Sequence, residues 1–184
     1  MLKTASRPLT VGDYMSLPDD GTRYQLIEGE LHMAPSPNRK HQLIAGEIFY
    51  ALRQHLGEKG KNELYLAPFD VQLSDTTVVQ PDICYFSKKR ASRLTHHGAE
   101  GAPDLVVEIL SPSNAHLDLG VKREIYARSG VEELWIVDPE ADELRVYDLA
   151  AGAQSPTATL TAGDTLQTRL LPEFALELRE IFPN

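Results

Sequence analysis

The chain has 184 residues, 42% hydrophobic and 24% charged, which is enough for one domain with a sizeable core. Its net charge of −9 excludes a general coat for nucleic acid, because non-specific binding draws on many phosphate-neutralising Lys and Arg side chains. A single cysteine excludes an internal disulfide or a cysteine-rich zinc cluster and fits a reducing, cytoplasmic setting. No apolar run approaches the ~20 residues of a membrane span, and the polar residues 1–8 lack the apolar core of a signal peptide.

No linker, repeat or low-complexity segment divides the chain, so the expectation is one domain over 1–184, with 1–9 a flexible N-terminal segment. Thr10 reads as the cap of a short helix ending before Pro18. Residues 23–27 and 31–34 read as a hairpin turning near Gly29, with Glu28 closing its first strand on the face of Tyr24 and Leu26. Ser36 as cap and Pro37 as first helical residue open a long helix, which Leu43, Ile44, Ile48, Ala51, Leu52 and Leu56 carry with helical spacing to Gly57. Strands are expected at 63–73 and 77–86, then a polar loop over 87–102. A strand around Glu108, a helix over 118–128 and a strand at 134–137 have the order of a crossover between parallel strands. Later strands at 145–149 and 158–160 and a closing segment at 173–182 complete an α/β fold, a mixed central sheet flanked by helices.

Two carboxylates interrupt this apolar pattern. Glu108 stands within Leu105-Val106-Val107-Glu108-Ile109-Leu110, and Asp82 follows Val78-Val79-Gln80-Pro81 and leads into Ile83-Cys84-Tyr85-Phe86. An ionised carboxylate is costly to bury unless it is paired or binds a metal. At about 100° per residue, Lys122 falls in the arc of Leu119, Val121, Ile125 and Tyr126, so it points inward and needs an anion. Two carboxylates on neighbouring strands suit a hard divalent cation such as Mg²⁺, and a lysine beside them steadies a metal-activated water and the charge growing on a phosphate. Each residue also has a plainer reading. Glu108 and Lys122 can form a structural ion pair, Asp82 can accept backbone N–H groups, Lys122 can snorkel to solvent, and Glu28 can be a turn residue. Tyr126 and Trp135 read as core. Lys88, Lys89, Arg90 and Arg93, with His96 and His97, form a local basic cluster that either holds a phosphate backbone or faces water.

Taken together, Pro81-Asp82, Glu108 and a following lysine resemble the PD-(D/E)XK, restriction-endonuclease-like superfamily. Within it, Tyr24-Gln25-Leu26-Ile27-Glu28-Gly29-Glu30-Leu31, the run from Pro103-Asp104 through Glu108 to Ser111-Pro112-Ser113, Asp118 with Lys122 and Tyr126, and Gly130-Val131-Glu132-Glu133-Leu134-Trp135-Ile136-Val137-Asp138-Pro139 resemble the Uma-type endonucleases of bacteria. The superfamily's lysine two residues after the glutamate is Leu110 here; in Uma-type chains it has moved to the next helix, and Lys122 matches that position. The resemblance implies a restriction-endonuclease-like fold and Mg²⁺- or Mn²⁺-dependent hydrolysis of nucleic acid, DNA in the first place. Asp82 and Glu108 would hold the metal, Glu28, matching the superfamily's early acidic residue, would assist directly or through water, Lys122 would orient the water, and His41 would stand at the rim beside the nucleic acid. Cutting both strands needs two active centres, so a homodimer is expected. The competing class is a nuclease-derived fold kept as a binding module, which would lack phosphodiester hydrolysis.

Other chemistries find no support. Ser111, Ser113, His116 and Asp118 supply the residue types of a hydrolase triad but no G-x-S-x-G elbow. No H-E-x-x-H or phosphate-cradling glycine loop occurs. A glycosidase's paired carboxylates would leave the inward lysine without a part.

Overall fold

In the computed structural model the described residues are 7–18, 21–34, 36–57, 62–111 and 115–182, the side chains of 116 and 117 excepted. Nearly continuous apolar runs on β6 (Ile83–Phe86), β8 (Leu105–Ile109) and β9 (Glu133–Asp138) build the centre of a six-stranded sheet. Ile83, Tyr85, Leu105, Val107, Ile109, Trp135 and Val137 face one core, and Cys84, Phe86, Val106, Leu134 and Ile136 face another. A strand shows alternate residues to opposite faces, so a sheet covered on both sides reads as an unbroken apolar run. Strand order is β11 (Ala158–Thr161), β10 (Glu143–Asp148), β9, β8, β6, β3 (Glu63–Leu66). β8 and β9 run parallel, as a crossover requires, with α3 (Ala115–Leu119) and α4 (Val121–Ser129) between them.

The first core lies under α2 (Arg39–Leu56), whose Ile44, Ile48 and Leu52 are fully buried, and is closed by Phe174, Leu176, Leu178 and Ile181 of the C-terminal segment, which includes β13 (Ala175–Glu177) paired with β12 (Thr165–Gln167). The second holds Tyr126 of α4 and Val71, Val79 and Ala99 from a second sheet of five strands. That sheet has the order β2 (Glu30–Met33), β1 (Tyr24–Ile27), β5 (Thr77–Val79), β4 (Asp70–Ser74), β7 (Gly98–Glu100). This is the mixed α/β, restriction-endonuclease-like architecture expected from the sequence.

Several boundaries differ from the sequence reading. The run 63–73 is two strands in different sheets, divided at Ala67-Pro68, and the run 77–86 is likewise cut at Gln80-Pro81-Asp82. Proline has no N–H for a ladder, so each break falls where the chain leaves one sheet for the other. The expected polar loop contains a 3₁₀ turn (Lys88–Arg93) and β7. Val121 is exposed, because Gly120 breaks the helix before it and α4 turns only Lys122, Ile125 and Tyr126 inward. Of the segment 1–9, residues 1–6 lie outside the described residues. Leu9 donates its N–H to the Gly29 carbonyl, and Arg7 pairs with Asp13. α1 (Val11–Met15) has the expected Thr10 cap, completed by Asp13 as a capping box. Among the described residues no helix is long and apolar enough to cross a membrane.

The cap of α2 is Asn38 rather than Ser36, its side chain accepting from the His41 N–H at 2.9 Å. Asn38→Ala should therefore lower stability by about 1 kcal/mol in urea denaturation, and Ser36→Ala by much less. Equal effects of the two would contradict this capping.

Candidate functional site

β6 and β8 pair antiparallel with Ile83 opposite Val107, so one further step of the register sets Asp82 opposite Glu108. Opposed residues project to the same face, here the one covered by α4. Asp82 follows the crossing from the five-stranded to the six-stranded sheet. Its Oδ2 accepts the Ile109 N–H at 2.8 Å and lies 3.2 Å from Nε2 of His41, in the first turn of α2.

Glu108 is 3% exposed and Lys122 2%. The Lys122 ammonium lies 2.5 Å from Glu108 Oε1 and 2.8 Å from Asp118 Oδ1. The Tyr126 hydroxyl donates to the same Glu108 oxygen at 2.5 Å. Asp82, Glu108, Asp118, Lys122 and His41 all line one cleft of about 260 Å³, with Gln25 and Gln80 on the wall formed by the five-stranded sheet. The two glutamines are tied together, since the Gln80 N–H donates to Gln25 Oε1 at 3.0 Å and its amide nitrogen donates to Asp70 at 2.7 Å.

Burial pushes the Glu108 carboxyl above its ordinary value, and the charges of Asp118 and Asp82 add to that rise against the pull of Lys122. Burial works against the Lys122 ammonium, but Glu108 and Asp118 outweigh it and keep the group protonated. The same balance holds at His41: burial lowers it, and hydrogen bonding and charge from Asp82 raise it above its ordinary value.

Not every residue singled out in the sequence meets this cleft. Glu28 stands in the β1–β2 turn with φ 51°, followed by Gly29 at φ 84°, the paired positive angles of a two-residue hairpin. Its carboxylate is more than half exposed, pairs with Arg128 at 2.6 Å and does not line the cleft. Arg90 is spent on structure. It donates to the carbonyls of Ala102, Pro103 and Gly130 and pairs with Asp104 and Glu132. Arg93 donates to the Ala102 carbonyl. Lys88 and Lys89 are exposed, but they follow the far end of β6, roughly 20 Å along the strand direction from Asp82 at about 3.3 Å per residue.

Asp118, Gln25 and Gln80 were not among the expected site residues, and Tyr126 reads as core from its apolar neighbours alone. The available signal was spacing: Asp118, Lys122 and Tyr126 recur every four residues, one helical turn apart.

Asp82 Oδ2 and Glu108 Oε1 each already accept two donors, and among the described residues Oδ1 and Oε2 accept none. Asp82, Glu108 and Asp118 line the same cleft, with Lys122 between Glu108 and Asp118 and His41 beside Asp82. No three His, Cys, Asp or Glu side chains among the described residues converge as ligands of one ion. Mg²⁺ commonly keeps several waters and takes one or two carboxylates, so the residues fit such an ion.

A family described as "Uma2: Putative restriction endonuclease" matches residues 11–179. A crystal structure described as a putative nuclease belonging to DUF820, from Anabaena variabilis ATCC 29413, superposes with a TM-score of 0.79 at 22% identity, covering 95% of this chain and 98% of that one. No curated protein matches the chain.

A folded-state carboxyl raised above 4.5 stabilises the fold below that pH, and the contribution is lost as pH rises through the shifted value. In EDTA the stability measured by urea denaturation should therefore fall as pH rises above the ordinary carboxylate range, by at most about 1.4 kcal/mol per unit. Glu108→Gln should flatten that slope. Parallel pH profiles for parent and variant would show that Glu108 titrates normally.

Proposed function

Because the chain belongs to the Uma2 family, we propose that it is an endonuclease hydrolysing phosphodiester bonds of nucleic acid, DNA in the first place, with Mg²⁺ or Mn²⁺. The observation that carries this reading is the opposition of Asp82 and Glu108 across β6 and β8, with the Lys122 ammonium buried against Glu108. Asp82 and Glu108 would hold the metal through the oxygens their protein partners leave. The ion would supply a water of lowered pKa and a Lewis acid for the phosphate.

The chain's own groups do the rest. An ammonium has three N–H donors, and Glu108 and Asp118 take two from Lys122, leaving the third for the reacting water or a phosphate oxygen. The enclosed cleft strengthens that interaction as charge grows on the phosphate. His41, in the first turn of α2, holds Asp82 and borders the path of the substrate. Lys88 and Lys89 would meet only flanking phosphates, and Glu28, paired with Arg128 outside the cleft, would not reach the metal. Cutting both strands of a duplex would take two copies of the site, so a homodimer belongs to this reading. The single cysteine, Cys84, is free and buried, in keeping with the cytoplasm.

One observation favours a second reading, a nuclease-fold binding module. The 2.5 Å contact of Lys122 with Glu108 is also what a structural ion pair would give.

Cleavage separates the two. Parent protein with Mg²⁺ or Mn²⁺ should cut plasmid or oligonucleotide DNA, and EDTA should stop it. Glu108→Ala should lose metal binding and cleavage together. Lys122→Met, close in length, should still bind Mn²⁺ but cut on the order of 10²-fold more slowly. A parent inert toward DNA and RNA with every metal, or a Lys122→Met that cuts as fast, would overturn the nuclease reading.

A further inference from the structure

Asp118 and Tyr126 flank Lys122 by one turn on either side, and both reach the Glu108–Lys122 pair. What they leave unoccupied can be counted. Glu108 Oε1 accepts from the Lys122 ammonium and from the Tyr126 hydroxyl, both at 2.5 Å, which uses both of its lone pairs. Only Oε2 is left to meet a cation. Tyr126 is fully buried among Val106, Leu134 and Ile136, so its ring packing, not the carboxylate, fixes where its hydroxyl stands.

Lys122 is a different case. With Asp118 at 2.8 Å on one side and Glu108 on the other, its ammonium is shared. Were Asp118 uncharged, Glu108 would be the nearest remaining anion, and attraction in this low-dielectric setting would draw the ammonium wholly onto it. The lysine would then compete with a cation for the same carboxylate and turn its remaining N–H groups from the cleft.

Resting on the metal-site reading above, the geometry points to Asp118 and Tyr126 as positioning residues: Tyr126 holds Glu108 with Oε2 toward a divalent cation, and Asp118 holds Lys122 between two carboxylates with one N–H left for the reacting groups. Neither touches substrate. Each acts through the residue it holds, as outer hydrogen-bond partners of metal ligands do.

The test uses the full chain freed of metal and two substitutions that keep shape, Tyr126→Phe and Asp118→Asn. Calorimetric titration with Mn²⁺ should show binding to Tyr126→Phe weakened about 10- to 100-fold while circular dichroism remains that of the parent. Unchanged Mn²⁺ affinity, with or without a lowered melting midpoint, would make Tyr126 structural only. In nitrogen-15 NMR, the Lys122 ammonium should exchange with water through its free N–H in the parent and more slowly in Asp118→Asn, where it is drawn onto Glu108 and turned from the cleft; equal exchange overturns the role of Asp118. In cleavage assays Asp118→Asn should lower kcat about 10-fold or more with KM nearly unchanged, and should have no further effect in a Lys122→Met background. Additive losses there would mean that Asp118 does not act through the lysine. A parent that binds no Mn²⁺ removes the metal site and this inference together, whereas equal Mn²⁺ binding by the parent and by Tyr126→Phe removes the role of Tyr126 and leaves the metal site standing.

Discussion

One buried ammonium holds the centre of this molecule together. Glu108 and Asp118 would repel each other, and each would be costly to desolvate alone; Lys122 between them makes both tolerable. The same contact ties α3 and α4 back onto β8, alongside the packing of the Tyr126 ring in the second core. Asp82 brings a third carboxylate to the same cleft, held there by His41. A purely structural pair of Glu108 and Lys122 would not call for that third carboxylate.

The other half of the site comes from a different constraint. The chain crosses from one sheet to the other at Pro81, and Asp82 follows that crossing. It is therefore free of the ladder of β5 yet pinned by the Ile109 N–H and by His41. The first turn of the 18-residue helix α2 approaches from the other core, and its positive end favours an ionised carboxylate there. Two cores thus meet at one carboxylate pair.

Much of this was legible in the sequence. Carboxylates inside apolar strands announce themselves because burial penalises them, so Asp82 and Glu108 stood out, and the helical arc placed Lys122 inward. The β8–helix–β9 crossover followed from the order of elements. What could not be read was where a continuous apolar run changes sheets, since β-strand character is the same on both sides of Pro68 or Pro81. Local charge misled as well: Arg90 and Arg93 sit in a basic cluster, yet backbone carbonyls distant in sequence consume them. Glu28 lay on the correct strand face by alternation, but the turn's positive φ redirected it. Tyr126 read as core, which its ring is; nothing local indicates that its hydroxyl ends on Glu108.

Leu110 occupies the place where the superfamily carries its lysine, and it is buried among Val106, Leu134 and Ile136. With the ammonium of Lys122 supplied from the crossover helix, that strand position packs like its neighbours. β8 then carries a charged group at one residue and answers to hydrophobic fit at the others. A search keyed to a contiguous glutamate-and-lysine signature passes over such a chain. The invariant worth seeking is topological: an amine on the helix that links two parallel strands, within reach of an acid on the first.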